Sequence, residues 1–167
     1  DIPPDAENPD IEAETIITDN DPHLFYLDAS HNQFQVQVAT AFSNTLLNYP
    51  NLGYLDLSFN DLGDEGAIQL AQALRLNQTL VELHLSSTKL TSTGGIAIAE
   101  SLQENQTLTT LNISKNKLGD RTAYAIAESL AINKTLATLI ISSAMLSNDG
   151  GIQIAQASPL CPSLTSI

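Results

Sequence analysis

Carboxylate and imidazole side chains occupy the same point of three consecutive 28-residue intervals, at Asp28, Asp56 and His84, and His31 stands near them. Such side chains are suitable ligands for a metal ion, which needs several of them around one point. If each interval contributes one β-strand, Asp28 and His84 lie two strand spacings apart, about 10 Å, which is too far to share an ion easily. We therefore predict no metal site and expect His84 to pair with Asp56 or Glu82.

Nucleophilic side chains do not indicate catalysis either. The serines at positions 30, 58, 86, 114 and 142 recur every 28 residues, so a structural role explains them. Cys161 is the only cysteine, which excludes an internal disulfide, and we expect it to be a small buried side chain. The Gly-Gly pairs at 94–95 and 150–151 stand in register at predicted helix starts and form no phosphate-binding loop. We predict a protein that is not an enzyme and needs no cofactor.

The charge of the chain narrows the class of partner. The formal net charge is −13, and residues 1–22 hold eight acids and no base, which leaves −5 for the remainder. Nucleic acid is excluded as a partner because binding to it depends on neutralising phosphates with Lys and Arg. No apolar run approaches the ~20 residues of a membrane helix, so we predict no membrane insertion. The lone cysteine favours a cytoplasmic location.

A 28-residue repeat must position all of these side chains. Repeats 1 to 5 begin at His23, Asn51, Thr79, Thr107 and Thr135, and repeat 6 begins at Ser163. We call residues at the same point of successive repeats a column. Three columns are apolar: Leu24, Leu52, Leu80, Leu108, Leu136 and Leu164; Leu27, Leu55, Leu83, Leu111, Leu139 and Ile167; and Ala29, Leu57, Leu85, Ile113 and Ile141.

Each repeat predicts one strand followed by one helix. Leu55 and Leu57 alternate with Tyr54 and Asp56, which is the period of two that a strand requires. In residues 66–74 the apolar side chains return at helical spacing. Because a single unit cannot bury both of its faces, consecutive units must stack, with parallel strands on the concave side and the bulkier helices on the convex side.

The repeat resembles the ribonuclease-inhibitor-like leucine-rich repeats, a long-repeat class also found in NOD-like receptors, the GTPase-activating protein of Ran, and tropomodulin. The family pattern LxxLxLSxNxLxxxGxxxLAxAL is matched by Leu52, Leu55, Leu57, Ser58, Asn60, Leu62, Gly66, Leu70, Ala71 and Leu74. The resemblance extends from about residue 23 to residue 167. It implies an α/β leucine-rich-repeat solenoid, a right-handed β-α superhelix with a curved parallel sheet on the concave face and helices on the convex face.

Two residues depart from that pattern. Ala144 stands where the resemblance implies an Asn that hydrogen-bonds the turn backbone, so we predict a locally softer turn there. Thr122 replaces the glycine of the other repeats. Asn77, Asn105 and Asn133 recur every 28 residues within glycosylation sequons at the helix-to-strand turn, where turn chemistry explains them.

The sequence divides into two parts. Residues 1–22 are predicted to be an acidic tail and an N-terminal capping helix that begins at Asn8 and Pro9, and residues 23–167 are the repeat domain, with five full repeats and the start of a sixth. Because Ile167 falls within a predicted strand, we expect this chain to be a fragment of a longer repeat protein.

The columns that project from the concave face are the candidates for function, because they do not repeat. Tyr26 and Tyr54 are rigid aromatic anchors, or simply a stacked pair, and Asp28 beside Asp56 implies repulsion that an indifferent surface need not keep. The candidate partner-binding residues are Tyr26, Asp28, Tyr54, Asp56, Phe59, Glu82, His84, Asn112 and Lys115.

The expected partner is another protein with a basic surface, held by the acids of this face. Two alternatives follow from the resemblance: a non-enzymatic regulator of a small GTPase, similar to the activator of Ran, or a cytoskeletal or effector scaffold similar to tropomodulin. The fold alone does not choose among these functions.

Overall fold

The structure is a computed structural model of the 167-residue chain, and it describes residues 25–48 and 51–167. The tail and capping helix expected within residues 1–22 lie outside the described residues. Strands and helices alternate in the order β1 Phe25–Asp28, α1 Val36–Asn48, β2 Leu52–Asp56, α2 Gly63–Leu76, β3 Glu82–His84, α3 Ser92–Ser101, β4 Thr110–Asn112, α4 Gly119–Ile132, β5 Thr138–Ile140 and α5 Asn148–Ala157, followed by a 3-10 helix at Ser158–Leu160. Within the described ranges, no helix combines the length and apolar character needed to cross a membrane.

The strands form one parallel sheet in the order of the chain. Its register advances by one repeat at each strand, so that Leu55 lies beside Leu27 on one side and Leu83 on the other. A further parallel bridge joins Thr138 to Ser166 in repeat 6. Each helix packs against the next one along the chain. The predicted architecture, an α/β leucine-rich-repeat solenoid with one strand and one helix per repeat, is confirmed.

The apolar columns fill the space between the sheet and the helices. Fully buried leucines in the central repeats include Leu55, Leu57, Leu80, Leu83, Leu85, Leu108, Leu111, Leu136 and Leu139. Burying a leucine stabilises a fold by about 1.5–3 kcal/mol, so these columns supply the main cohesion between repeats. Burial falls at both ends of the stack, where Leu27, Ile141 and Leu164 are only partly buried.

Buried asparagines connect the helix-to-strand turns of successive repeats. Asn105 donates from Nδ2 to the carbonyl oxygens of Leu74 at 2.8 Å and Asn77 at 3.1 Å, and its Oδ1 accepts from the amides of Thr107 and Leu108. Asn77 and Asn133 make equivalent bonds. Since each of these side-chain amides is buried and engaged, turn chemistry accounts for the three recurring sequons.

The strand-to-helix turns take two alternating forms. In repeat 4, Asn116 donates from Nδ2 to Leu85 O and Ile113 O, while its Oδ1 accepts from Thr88 N at 3.0 Å and Leu90 N at 3.1 Å. Asn60 of repeat 2 does the same for the turn of repeat 1. Each of these asparagines therefore supports the turn of the preceding repeat as well as its own.

Repeats 3 and 5 carry Thr88 and Ala144 in that column and use the backbone instead. Thr88 O accepts from Gly63 N at 3.1 Å, and Ala144 O accepts from Gly119 N at 3.0 Å. Gly63 and Gly119 have φ values of +62° and +64°, a left-handed conformation that glycine adopts without steric cost. The two forms of turn thus alternate along the solenoid with a period of two repeats.

The helix starts follow the same alternation. Asp64, in the first turn of α2, accepts hydrogen bonds from Thr91 N at 2.8 Å, from Thr91 Oγ1 at 2.5 Å and from Gly94 N at 3.0 Å, so it caps the helix of the next repeat. Burial raises the pKa of Asp64, but these hydrogen bonds outweigh it and leave the pKa below its usual value. Asp120 caps α5 through the hydroxyl and amide of Ser147, which lower its pKa in the same way.

Thr122 is accommodated by a compensating glycine. A Cβ atom at Gly95 would lie 2.6 Å from Thr122 Oγ1 and 2.8 Å from Leu118 Cδ2, which is closer than side-chain atoms approach one another. The Thr122 hydroxyl donates to Leu118 O at 3.0 Å. The larger side chain in repeat 4 is therefore matched by the absence of one in repeat 3.

Candidate functional site

Two columns of strand residues project from the concave face, on the side away from the helices. The sheet register aligns the first as Tyr26, Tyr54, Glu82, Thr110 and Thr138, and the second as Asp28, Asp56, His84, Asn112 and Ile140. Aromatic and acidic side chains are concentrated in repeats 1 to 3, whereas repeats 4 and 5 present small, uncharged ones. We call the group Tyr26, Asp28, Tyr54, Asp56, Glu82, His84 and Asn112 the strand patch.

An aromatic ladder crosses three strands of this patch. The rings of Tyr26 and Tyr54 stack with centroids 4.0 Å apart and planes inclined by 14°, and the His84 ring lies 5.1 Å from that of Tyr54. Burial, a hydrogen bond to Tyr26 and the charge of Asp56 raise the pKa of Tyr54 well above its usual value, so its phenol stays neutral. The far end of the ladder is polar, because His84 Nε2 lies 3.5 Å from Glu82 Oε2.

The acidic column has a structural role that the sequence-based argument omitted. Asp28 Oδ1 accepts a hydrogen bond from Ser30 N at 2.9 Å, and Asp56 Oδ1 accepts one from Ser58 N at 2.7 Å. Asn112 Oδ1 accepts the same bond from Ser114 N at 3.1 Å. The turn therefore explains why Asp or Asn stands at this position. It does not explain the negative charge, because Asn would serve equally well.

The serine column is not on the concave surface, where we expected it. Ser58, Ser86 and Ser114 are buried, and Ser114 Oγ donates to Ser86 Oγ at 3.0 Å. Ser86 N donates to Ser58 Oγ at 3.1 Å. The chain turns inward immediately after each strand, and a small hydroxyl fits there and satisfies its neighbours. These serines are part of the scaffold.

Phe59 and Lys115 also lie away from the strands. They belong to a column of turn residues in the left-handed conformation, with φ between 54° and 58°: His31, Phe59, Ser87, Lys115 and Ser143. The Phe59 ring stacks on His31 with centroids 4.0 Å apart, and Lys115 Nζ lies 5.4 Å from the Phe59 centroid. We call His31, Phe59 and Lys115 the turn patch. The single concave surface expected from the sequence is thus two groups on different elements, because the strands end before this column.

Metal-ligating and nucleophilic side chains form no centre in this arrangement. Residues 25–48 and 51–167 contain no group of three His, Cys, Asp or Glu side chains placed to hold a metal ion. Cys161 is buried, with its Sγ 3.6 Å from Leu136 O. The site is a surface of aromatic rings and charges, suited to binding.

Comparisons with known proteins agree with this architecture. A family model described as leucine-rich repeat matches residues 50–71, 76–99 and 104–127. A solved structure titled leiomodin-1 actin-binding site 2 has a TM-score of 0.69 and 23% identity, covering 85% of this chain and 83% of that one. The tropomodulin C-terminal domain from Caenorhabditis elegans has a TM-score of 0.65 and 15% identity, covering 89% of this chain and 87% of that one. No curated protein matches.

Proposed function

Since this chain is a leucine-rich-repeat protein of the ribonuclease-inhibitor-like class, we propose that it is a non-catalytic module that holds a partner protein on its strand patch. One observation carries the proposal: the aromatic ladder and the acids beside it occupy only half of a face that otherwise repeats. A surface kept only for folding would need the columns of the other half, which are small and polar.

The chemistry of the strand patch favours a basic partner. Tyr26 is 38% exposed, so its ring offers a rigid, largely preorganised contact that loses little entropy on binding. Asp28 and Asp56 lie side by side at the edge of the ladder, and Glu82 lies beside Tyr54 in the sheet. A Lys or Arg side chain placed over the rings would meet both the aromatic faces and these carboxylates.

Selection from a displayed random peptide library tests the proposal without a known partner. We expect wild-type protein to enrich peptides rich in Lys or Arg, with binding that weakens as salt concentration rises. The double variant Asp28→Asn/Asp56→Asn keeps both turn hydrogen bonds, since Asn112 already makes the same bond. The selected peptides should therefore bind this folded variant about tenfold more weakly or worse.

A matched control removes the same charge elsewhere. Glu65 and Glu128 are exposed helix residues, so Glu65→Gln/Glu128→Gln changes the net charge by the same amount. We expect this variant to bind the selected peptides like the wild type. If both double variants lose binding equally, only net charge matters and the strand patch is not the site.

Actin is a second candidate partner, because the leiomodin-1 structure that matches this fold is titled an actin-binding site. Cosedimentation with actin filaments and a binding assay with monomeric actin test this directly. Specific binding should fall when Tyr26 and Tyr54 are both replaced by Ser. An absence of binding to either form of actin would exclude this candidate while leaving the peptide experiment unaffected.

A further inference from the structure

A basic groove lies at the ends of the strands, on a chain that is otherwise acidic. The chain has six Lys and Arg residues in total. Three of them, Lys89, Lys115 and Lys117, line one open groove of about 340 Å³ together with Ser87, Thr91 and Asn116. A second groove of about 450 Å³ shares Ser87 and Lys89 and extends to Phe59. The two form a continuous channel across the turns of repeats 1 to 4, which we call the strand-end groove.

Backbone contacts hold the lysine-bearing turns of repeats 3 and 4 together. Lys117 N donates to Leu90 O at 2.8 Å, and Thr91 and Lys117 form a parallel bridge. Lys89 Nζ pairs with Asp61 Oδ2 at 2.5 Å. Within residues 25–48 and 51–167, by contrast, no carboxylate lies at ion-pair distance from Lys115 or Lys117. The positive charge of these two lysines is thus open to a ligand.

The turns do not require lysine at these positions. Lys89 and Lys115 have φ values of 62° and 54°, where an L-residue other than Asn, Asp or Gly pays a steric cost. His31 and Ser143 occupy the Lys115 column in other repeats, so the turn forms without a cation there. The amide groups at the start of α3 are already capped by Asp64. An anion in the groove would therefore be held by the lysine side chains.

We infer that the strand-end groove binds an extended acidic peptide segment of a partner protein, with carboxylates at Lys115 and Lys117 and an apolar side chain on the His31–Phe59 stack. The groove is open and runs across several turns, which fits an extended chain better than a single small anion. Phe59 is 40% exposed, so its ring is available at one end. This surface is opposite in charge to the strand patch, and the inference does not rest on the function proposed above.

The test uses a fluorescently labelled peptide rich in glutamate with one phenylalanine, and the same peptide with glutamine in place of glutamate. Fluorescence anisotropy with the full chain should show binding of the glutamate peptide only, weakening as NaCl is added. Lys115→Asn/Lys117→Gln should reduce the affinity by about fivefold or more. Lys134→Gln, which removes a charge on the helix-to-strand turn after α4, should leave the affinity unchanged.

A second readout separates binding from folding. Asn tolerates the left-handed conformation better than Lys, so Lys115→Asn should leave the thermal midpoint unchanged or raise it while weakening peptide binding. The inference is overturned if the glutamine peptide binds as tightly, or if Lys115→Asn/Lys117→Gln binds like the wild type. It is also overturned if the glutamate peptide does not bind and the chain self-associates, since a second copy would then occupy the groove.

Discussion

Repeats 2 and 4 differ from repeats 3 and 5 in how they contact the repeat before them. In repeats 2 and 4 a buried asparagine, Asn60 or Asn116, reaches across with its side chain to both turns. In repeats 3 and 5 the contact is a backbone carbonyl, at Thr88 or Ala144, that accepts from a left-handed glycine. The helices differ as well, since α2 and α4 have 14 residues and α3 and α5 have 10.

This comparison shows that the structural unit is a pair of repeats. The asparagine repeats concentrate their contacts in one polar side chain, whereas the other repeats distribute them over backbone groups that any residue supplies. A substitution at Asn116 therefore removes several hydrogen bonds together, whereas one at Thr88 removes a single bond to Leu85 O. Sensitivity to mutation should alternate along the solenoid.

Asn116→Ala should produce the largest loss of stability. It leaves the amides of Thr88 and Leu90 without their acceptor and the carbonyls of Leu85 and Ile113 without a donor. Because buried polar groups without partners cost about 1–3 kcal/mol each, partly relieved by relaxation, we expect a loss of about 3–5 kcal/mol in urea unfolding. Thr88→Ala is the control and should cost about 1 kcal/mol. Equal costs for the two variants would contradict the alternation.

The two Gly-Gly pairs provide the next test. Gly95→Ala should destabilise the fold by about 1–3 kcal/mol, because the new methyl group overlaps Thr122 and Leu118. Gly151→Ala meets nothing within 4 Å and should stabilise α5 by about 0.5–1 kcal/mol, since alanine loses less backbone entropy in a helix. Combining Gly95→Ala with Thr122→Gly should recover most of the loss. Failure of that rescue would show that Thr122 is not the obstacle.

Much of the fold was predictable because the leucine columns fix which residues lie side by side. The pairing of Tyr26 with Tyr54 and of Asp56 with His84 follows directly from a repeat of 28 residues. The pairing of repeats was also present in the sequence, as Leu-Gly-Asp at 62–64 and again at 118–120, but a period of one repeat conceals it.

The candidate site was less predictable, for a geometric reason. The spacing of residues shows which strand position a side chain follows but not where the strand ends. Phe59 and Lys115 were therefore placed on the concave sheet, although they belong to left-handed turns beyond it. The burial of Ser86 and the turn bond of Asp56 depend on backbone direction after the strand, which the alternation of apolar residues does not encode.

The capping aspartates predict a smaller effect that depends on pH. The pKa values of Asp64 and Asp120 are lowered in the folded state, so their contribution to stability is complete above the unfolded value of about 3.9 and is lost as the pH falls below it. Between about pH 6 and pH 3, wild-type protein should lose more unfolding free energy than Asp64→Asn/Asp120→Asn. The difference should be below about 1 kcal/mol for Asp64, since solvent screens it. Equal losses would show that the caps do not depend on charge.

The smallest effect concerns local opening at the turn of repeat 5. Ala144 and Leu146 hold the positions of Thr88 and Leu90, yet within residues 25–48 and 51–167 their amides have no acceptor comparable to Asn116 Oδ1. Ala144 also has no side-chain group to bond the carbonyl of Ile141, as Thr88 does for Leu85. Amide hydrogen exchange across residues 142–146 should therefore be about tenfold faster than across 114–118. Ala144→Asn should slow it by restoring the side-chain bond, whereas equal protection of both turns in the wild type would mean that the backbone contact to Gly119 is sufficient.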